Sequence, residues 1–375
     1  MNHHHLPPAS RRSFLRHLAL GSAGLAIGSR ALLAATTGSA ASGPRKLGVA
    51  LVGLGNYATN QLAPALERSK HCRLAAVVTG TPDKAKRWAE KHRLPDNCVY
   101  DYGTMDGLAN NPEVDVVYVV TPPGLHAEQT IRAAKAGKHV ICEKPMAVSV
   151  EECDRMIAAC RDAKVHLSIG YRLHYHPMWQ ELKRLAREKD FGPFMRMSGG
   201  FGFHHPGRGW RVDKALAGGG PLMDVGIYVV QGACMAAADV APVAVTASEP
   251  RKRRPQVFRE VEETLNFTLE WENGARCEGT TSYEESSNRL RAEAEKGFFE
   301  IEPAYSYNGL VARTSRGPLP PSSAHQQAAQ IDGMAEAILA GKASITPGEM
   351  GRRDMAIVEA IYEAARTGKR TSVAS

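Results

Sequence analysis

Val49-Ala50-Leu51-Val52-Gly53-Leu54-Gly55-Asn56-Tyr57-Ala58 carries an apolar run into a G-x-G-x-x-A turn. An apolar run of this length ending on glycine reads as a buried strand, and the spacing of the small residues is the fingerprint of a dinucleotide-binding turn. Gly53 permits the tight turn and Gly55 lets the backbone approach a pyrophosphate. Ala58 keeps the next helix, Ala58 to Arg68, close to the sheet with its N-terminus toward the diphosphate. Gly53, Leu54, Gly55, Asn56 and Tyr57 are therefore candidate cofactor contacts. Further strand-like runs follow at Leu74 to Thr79, Val114 to Val120, His139 to Cys142 and His166 to Ile169, with helical stretches between them. Together with Leu47 to Gly53 they predict a parallel, doubly wound α/β sheet, a Rossmann dinucleotide-binding domain over residues 45–170.

After Phe194 the period changes. Leu265, Phe267, Leu269 and Trp271 alternate with Asn266, Thr268 and Glu270, and Leu290, Ala292 and Ala294 alternate with Arg291, Glu293 and Glu295. These are half-buried antiparallel strands with one wet face. Lys296-Gly297 before Phe298 marks a hairpin turn, and Gly317-Pro318-Leu319-Pro320-Pro321 a loop leading to the final helices. Residues 171–375 are expected to form an α+β domain on a large, open, mostly antiparallel sheet, with the last helices placed to pack back on the first domain. The free face of such a sheet suits pairing with a copy of itself, so a homodimer is expected, with a tetramer as the larger alternative.

Ser10-Arg11-Arg12-Ser13-Phe14-Leu15-Arg16 resembles the twin-arginine export motif; a Gly-rich apolar run, Leu18 to Gly28, and a small-residue exit, Ser39-Ala40-Ala41, follow it. Residues 1–41 are read as a leader, and the protein as one exported folded to the periplasm. An enzyme sent there with a dinucleotide must load it before export and hold it tightly. The formal charge is +8, but Arg11, Arg12, Arg16 and Arg30 lie in the leader, which holds no acidic residue, so the remainder carries +4. That balance gives no reason to expect a nucleic-acid partner. No apolar run reaches the ~20 residues of a membrane span, so no stable membrane association is expected. Seven cysteines at irregular spacing give no disulfide framework and read as small buried apolar residues.

The tip of the second strand separates the two nicotinamide cofactors. An NAD site places Asp or Glu there for the ribose 2'-hydroxyl, and that carboxylate repels a 2'-phosphate. Here the segment is Thr79-Gly80-Thr81-Pro82-Asp83-Lys84-Ala85-Lys86. Thr79 can donate a hydrogen bond, Lys84 and Lys86 bring positive charge, and NADP(H) is the expected cofactor.

Three further motifs carry chemistry: Glu143-Lys144-Pro145 after the strand ending near Cys142; Gly170-Tyr171-Arg172-Leu173-His174-Tyr175; and Gly218-Gly219-Gly220-Pro221-Leu222-Met223-Asp224-Val225-Gly226-Ile227-Tyr228. Asp224 and Tyr228 are four apart, so on a helix they face one substrate together. Lys144 ends a parallel strand, where open α/β sheets place their ligands. A tyrosine with a reference pKa of ~10 becomes a useful base beside a cation that favours the phenolate. On this reading Tyr228 is the acid/base, Lys144 the substrate anchor and the tuner of the tyrosine, and Asp224 the hydrogen-bond partner that orients the substrate. The pairs His174/His176 and His204/His205 lack companion ligands at metal spacing, so no metal is expected. Arg251-Lys252-Arg253-Arg254 reads as a solvated loop.

With the glycine loop, these motifs resemble the Gfo/Idh/MocA oxidoreductase family, which includes glucose-fructose oxidoreductases and inositol dehydrogenases. The Asp224–Tyr228 pairing, where inositol dehydrogenase-like members carry His, points to the sugar-sugar branch. The resemblance implies an enzyme that oxidises an aldose at C1 to a lactone and returns the hydride to a second sugar from the same tightly bound NADP(H), in a ping-pong cycle. It adds Tyr175 as a catalytic candidate, and Tyr102, Thr121, His126, Glu143, Lys144 and Arg172 to Thr79, Lys84 and the loop as cofactor contacts. One departure stands out: only Ser42-Gly43-Pro44-Arg45-Lys46 separates leader from first strand, where the glucose-fructose enzymes carry a long Pro-rich arm. The rivals are a glycosidase that uses bound NAD for a transient oxidation and a non-catalytic sugar sensor.

Overall fold

The computed structural model describes residues 45–374. The leader, with Arg11 and Arg12, lies outside the described residues.

Six parallel strands form the first sheet: β1 Leu47–Val52, β2 Cys72–Val78, β3 Val99–Tyr100, β4 Val116–Val119, β5 His139–Cys142 and β6 Leu167–Ile169, in the order β3-β2-β1-β4-β5-β6. Alternate side chains of these strands enter two different cores, as a sheet covered on both faces requires. Val49, Leu51, Val77, Val116, Tyr118 and Ile141 pack on one side with Leu62 and Leu66. Ala50, Val52, Val78, Val117, Val119 and Cys142 pack on the other with Leu108, Ala133 and Met156. The connecting helices are α1 Ala63–Arg68, preceded by a π-helical turn at Ala58–Leu62, α2 Pro82–His92, α3 His126–Lys135 and α4 Val150–Asp162. Strand β3 went unread in the sequence because two residues are too few to show a period.

The next helices are α5 Pro177–Glu188, α6 Lys214–Ala217 and α7 Ile227–Ala236. The second sheet has nine strands: β7 Arg196–Gly202, β8 Ala244–Ser248, β9 Thr264–Glu270, β10 Arg276–Ser282, β11 Ser287–Ala294, β12 Gly297–Ile301, β13 Ala312–Thr314, β14 Gly317–Pro318 and β15 Thr371–Ser372. All its pairings are antiparallel except β7 with β10. Gly317-Pro318, expected as pure loop, closes the edge by pairing with β13.

Every residue of α7 is buried, because the helix lies between this sheet and its neighbours. Gly199 of β7 makes that approach possible: a Cβ there would stand 2.9 Å from Val229 Cγ1. The opposite face of the sheet is polar, with Thr264, Asn266 and Thr268 of β9 half-exposed. The last helices are α8 Gln326–Leu339 and α9 Gly348–Thr367. Ile331, Met334 and Ala335 of α8 complete the core that holds Val49 and Leu51. All seven cysteines are buried free thiols.

Candidate active site

The glycine turn is built as its residues demand. Gly53 has φ +97°, and a Cβ there would stand 2.8 Å from Thr121 Cγ2, so only glycine fits both the conformation and the space. Its amide donates to the Val78 carbonyl at 3.0 Å, which ties the turn to the tip of β2. Leu54 is buried beneath it, whereas Gly55 and Asn56 are exposed at the helix start. No protein atom comes within 4 Å of a Cβ placed on Gly55. An open backbone at a helix N-terminus fits a dinucleotide pyrophosphate. Beside the turn, Thr79 is buried and its amide donates to the Tyr100 carbonyl at 3.0 Å. The Tyr102 ring packs over Gly80, and Lys84 sits half-exposed in the first turn of α2.

A cavity of about 640 Å³ opens between the C-terminal ends of the parallel strands and the second sheet. Tyr57, Thr121, Glu143, Lys144, Arg172, Asp224 and Tyr228 all line it. Asp224 lies in a π-helical turn, Leu222–Gly226, that runs into α7, and Tyr228 is the second residue of α7. Glu262 fixes that turn by accepting from the amides of Gly220 (2.9 Å) and Leu222 (3.0 Å) and from the Tyr362 hydroxyl (2.9 Å).

Asp224 and Tyr228 face one cavity but are held by different partners. Arg211 Nε donates to Asp224 Oδ2 at 2.7 Å, Arg211 Nη2 to Oδ1 at 3.3 Å, and the Tyr283 hydroxyl to Oδ2 at 3.1 Å. Burial opposes ionisation of Asp224, but the Arg211 and Lys144 charges outweigh it and hold its carboxyl below the ordinary range. Lys144 Nζ donates to the Asp224 carbonyl at 2.6 Å, lies 3.9 Å from Oδ1, and stands 4.7 Å from the centroid of the Tyr228 ring. Burial lowers the Lys144 pKa.

The role read for Lys144 as tuner of Tyr228 needs correction. Its ammonium faces the ring and Asp224, while the cation at the hydroxyl is Arg172, whose Nε donates to the Tyr228 oxygen at 3.3 Å. Burial still dominates, so the Tyr228 pKa lies above its ordinary value despite Arg172. Glu143 accepts from the Tyr118 hydroxyl at 2.7 Å, and burial raises its pKa.

Two other candidates lie off the cavity lining. Tyr175 does not line the cavity: its hydroxyl lies 3.3 Å from Thr346 Oγ1 and its ring packs against Gly333 of α8. His126 is buried behind the wall, with Nε2 2.8 Å from the Thr121 carbonyl and Nδ1 3.0 Å from the Pro145 carbonyl, so it braces two lining segments. His174 bonds Gln231 and Lys183, and His176 caps α5. Among the described residues no group of His, Cys, Asp and Glu could hold a metal ion, and no helix is long and apolar enough to cross a membrane. Arg254 is not a solvated loop residue either: it pairs with Glu263 (3.0 Å) and Glu284 (2.8 Å) and donates to the Tyr283 carbonyl.

Sequence reasoning missed Trp210, Arg211, Tyr283 and Tyr307, which also line the cavity. An aromatic and an arginine side by side in the glycine-flanked loop Gly209-Trp210-Arg211 were the available signal. Tyr283 and Tyr307 gave none, because only the register of the second sheet brings them to the cavity.

A model of the oxidoreductase family with an NAD-binding Rossmann fold matches residues 47–171, and one of the GFO/IDH/MocA C-terminal domain matches residues 179–300. The solved structure of an aldose-aldose oxidoreductase from Caulobacter crescentus, in complex with glycerol, is 43% identical. It covers 88% of this chain and 100% of its own, with a TM-score of 0.85. D-xylose 1-dehydrogenase (NADP(+)) 2 of Haloferax volcanii is 26% identical over 330 residues, 85% of this chain and 97% of that protein. The D-xylose 1-dehydrogenase [NADP(+)] of Haloarcula marismortui is 27% identical over 331 residues, 85% of this chain and 91% of that one.

Proposed function

The chain belongs to the Gfo/Idh/MocA oxidoreductase family, and on that premise we propose that it oxidises an aldose at C1 to the lactone and passes the hydride to a second sugar, with one NADP(H) retained throughout. The observation that carries the reading is the convergence of Lys144, Asp224, Tyr228 and Arg172 on one cavity beside the dinucleotide turn. The aldose-aldose enzyme of Caulobacter and the NADP-dependent xylose dehydrogenases support the substrate and cofactor classes.

NADP(H) held at the glycine turn by Gly53, Gly55 and Thr79 would supply the hydride acceptor and donor. The side chains supply the rest. Asp224, kept ionised by Arg211, accepts a sugar hydroxyl and orients the ring. Lys144 donates to a second hydroxyl and anchors C1 toward the strand ends. Tyr228 would accept the C1 hydroxyl proton at its phenolate oxygen as the aldose is oxidised. In the return direction Tyr228 would give that proton to the carbonyl oxygen of the second sugar. Trp210 and Phe203 offer flat apolar faces to the C–H side of a pyranose.

The reading extends to location and assembly: folded export through the Arg11-Arg12 motif with the nucleotide aboard, and a homodimer through the polar face of the second sheet. The test of the chemistry is to denature the purified protein, identify the released nucleotide, and follow single-turnover reduction of the bound NADP by aldoses without added cofactor. Reduction by one aldose and reoxidation by a second sugar is the expected result. Failure of every sugar, with cleavage of an aryl glycoside, would overturn it in favour of the glycosidase.

A further inference from the structure

Arg172 is buried to 1% exposure, yet among the described residues no carboxylate forms an ion pair with it, although its charge acts on Glu143 at longer range. The two other cations of the cavity, Lys144 and Arg211, share Asp224. Arg172 spends its donors on neutral oxygens instead: Nε on the Tyr228 hydroxyl at 3.3 Å, Nη2 on the Tyr305 carbonyl at 2.5 Å, and Nη1 on the Ser306 carbonyl at 3.4 Å and on Gln326 Oε1. Its guanidinium carbon is 5.0 Å from the Tyr228 ring centroid and 4.7 Å from that of Tyr307. A buried cation without a counter-ion is costly, and an anion forming beside it regains that cost.

Resting on the acid/base reading of Tyr228, we infer that Arg172 is the positioning residue that sets Tyr228's ionisation, its unpaired guanidinium being held at the hydroxyl by the strap Tyr305–Tyr307. Every other charged or titratable neighbour of Tyr228 is committed elsewhere or has the wrong sign. Lys144 faces the ring and Asp224, and Glu143 and Asp224 oppose a phenolate. Tyr57 and Tyr307, from the glycine turn and the strap, would each compete for the same charge. Burial works against the Arg172 charge, and interaction with Tyr228 leads the contributions that sustain it. The strap is itself fixed, since Gln326 Nε2 donates to the carbonyls of Ser306 (3.0 Å) and Tyr307 (2.9 Å). One guanidinium therefore joins the wall of the cleft to the reacting hydroxyl.

The test uses the protein purified with its nucleotide. Tyr228 ionisation is read as the ultraviolet phenolate signal that Tyr228→Phe removes, and single-turnover nucleotide reduction is followed across the same pH range. In Arg172→Met both the ionisation and the rising limb of the rate should move up by about one to three pH units, as expected for loss of an adjacent opposite charge. Arg172→Lys should fall between Met and wild type, and if Met fails to fold, an unmoved limb in Lys overturns the proposal. Gln326→Ala, which removes an acceptor of Arg172 Nη1 and two bonds to the strap but keeps the guanidinium, should move the limb in the same direction by less than Arg172→Met. A shift there larger than in Arg172→Met, in a variant that keeps the charge, would assign the effect to strap position and overturn the role of the charge. A limb that persists in Tyr228→Phe removes the base itself, and this inference with it. A limb lost in Tyr228→Phe but unmoved in Arg172→Met overturns the Arg172 role alone.

Discussion

Arg211 grips the carboxylate of Asp224 with two nitrogens, at 2.7 Å and 3.3 Å, from a loop thirteen residues upstream. Its guanidinium also lies 4.3 Å from the Trp210 ring centroid, so one loop both fixes the carboxylate and brings an aromatic ring to the cavity. Lys144 Nζ stands 3.9 Å from Asp224 Oδ1, so the short contacts to the carboxylate come from Arg211 and Tyr283.

Replacing Arg211 with Met should therefore impair substrate orientation without emptying the dinucleotide turn. The released Asp224 would close on Lys144, and the lost geometry should lower kcat/KM for the aldose by about 10²-fold. Single-turnover rates and the nucleotide content of the purified variant check this. Wild-type kinetics in Arg211→Met would show that Tyr283 and Lys144 suffice.

The two glycines of the turn separate strain from ligand contact. Gly53→Ala forces a side chain into φ +97° and against Thr121, so it should cost about 1–3 kcal/mol and lower Tm with or without nucleotide. Gly55→Ala meets no protein atom within 4 Å, so the nucleotide-free protein should keep its Tm while less nucleotide copurifies. Equal losses of Tm in both variants would contradict the assignment of Gly55 to the pyrophosphate.

Most of the first sheet was legible because burial on both faces leaves uninterrupted apolar runs such as Val49-Ala50-Leu51-Val52. The second sheet was half legible. Strands β9 and β11 show clean alternation, but β7 reads Arg196-Met197-Ser198-Gly199-Gly200-Phe201-Gly202, and its glycines signal turns in sequence although Gly199 serves the approach of α7. Lys144, Asp224 and Tyr228 could be named because each sits in a compact motif. The error over which cation meets the Tyr228 hydroxyl had a different origin: side-chain direction at Arg172 depends on the strap carbonyls of Tyr305 and Ser306, more than 130 residues away in sequence.

His174 supplies a pH dependence of stability. Lys183 Nζ lies 3.1 Å from its Nδ1, which fits Nδ1 as acceptor and Nε2–H as donor to Gln231 Oε1 at 2.6 Å. Burial first, and the Lys183 charge next, push the His174 pKa down from 6.5 to about 4. The unfolded chain then binds the extra proton between those values, so stability should rise from about pH 4 to about pH 6.5 and be complete above it, by about 3 kcal/mol at most. Denaturant unfolding across that range should show a flatter slope in His174→Gln, and an unchanged slope would exclude the residue.

The Arg11-Arg12 pair lies outside the described residues, and its expected consequence is cellular. Changing both to Lys should leave precursor in the cytoplasm with its nucleotide bound, read by fractionation and immunoblotting. An unchanged periplasmic fraction would remove the export reading while leaving the site chemistry untouched.

Cofactor choice turns on Thr79. Its amide is fixed to Tyr100 and its neighbour Val78 holds Gly53, so a side chain at this position stands beside the dinucleotide turn, where an NAD site carries its acidic residue. Thr79→Asp places a carboxylate where the 2'-phosphate of NADP would lie and gives a free ribose 2'-hydroxyl an acceptor. The variant should weaken NADP relative to NAD by about ten- to a hundredfold, equivalent to ~1.4–2.8 kcal/mol. Lys84→Ala, which removes only the nearby positive charge from the first turn of α2, should weaken NADP and leave NAD unaffected. Both are read by identifying the nucleotide released on denaturation and by titrating the stripped protein with each cofactor. Release of NAD alone from the wild type, or an equal loss of both cofactors in Lys84→Ala, would overturn the NADP assignment.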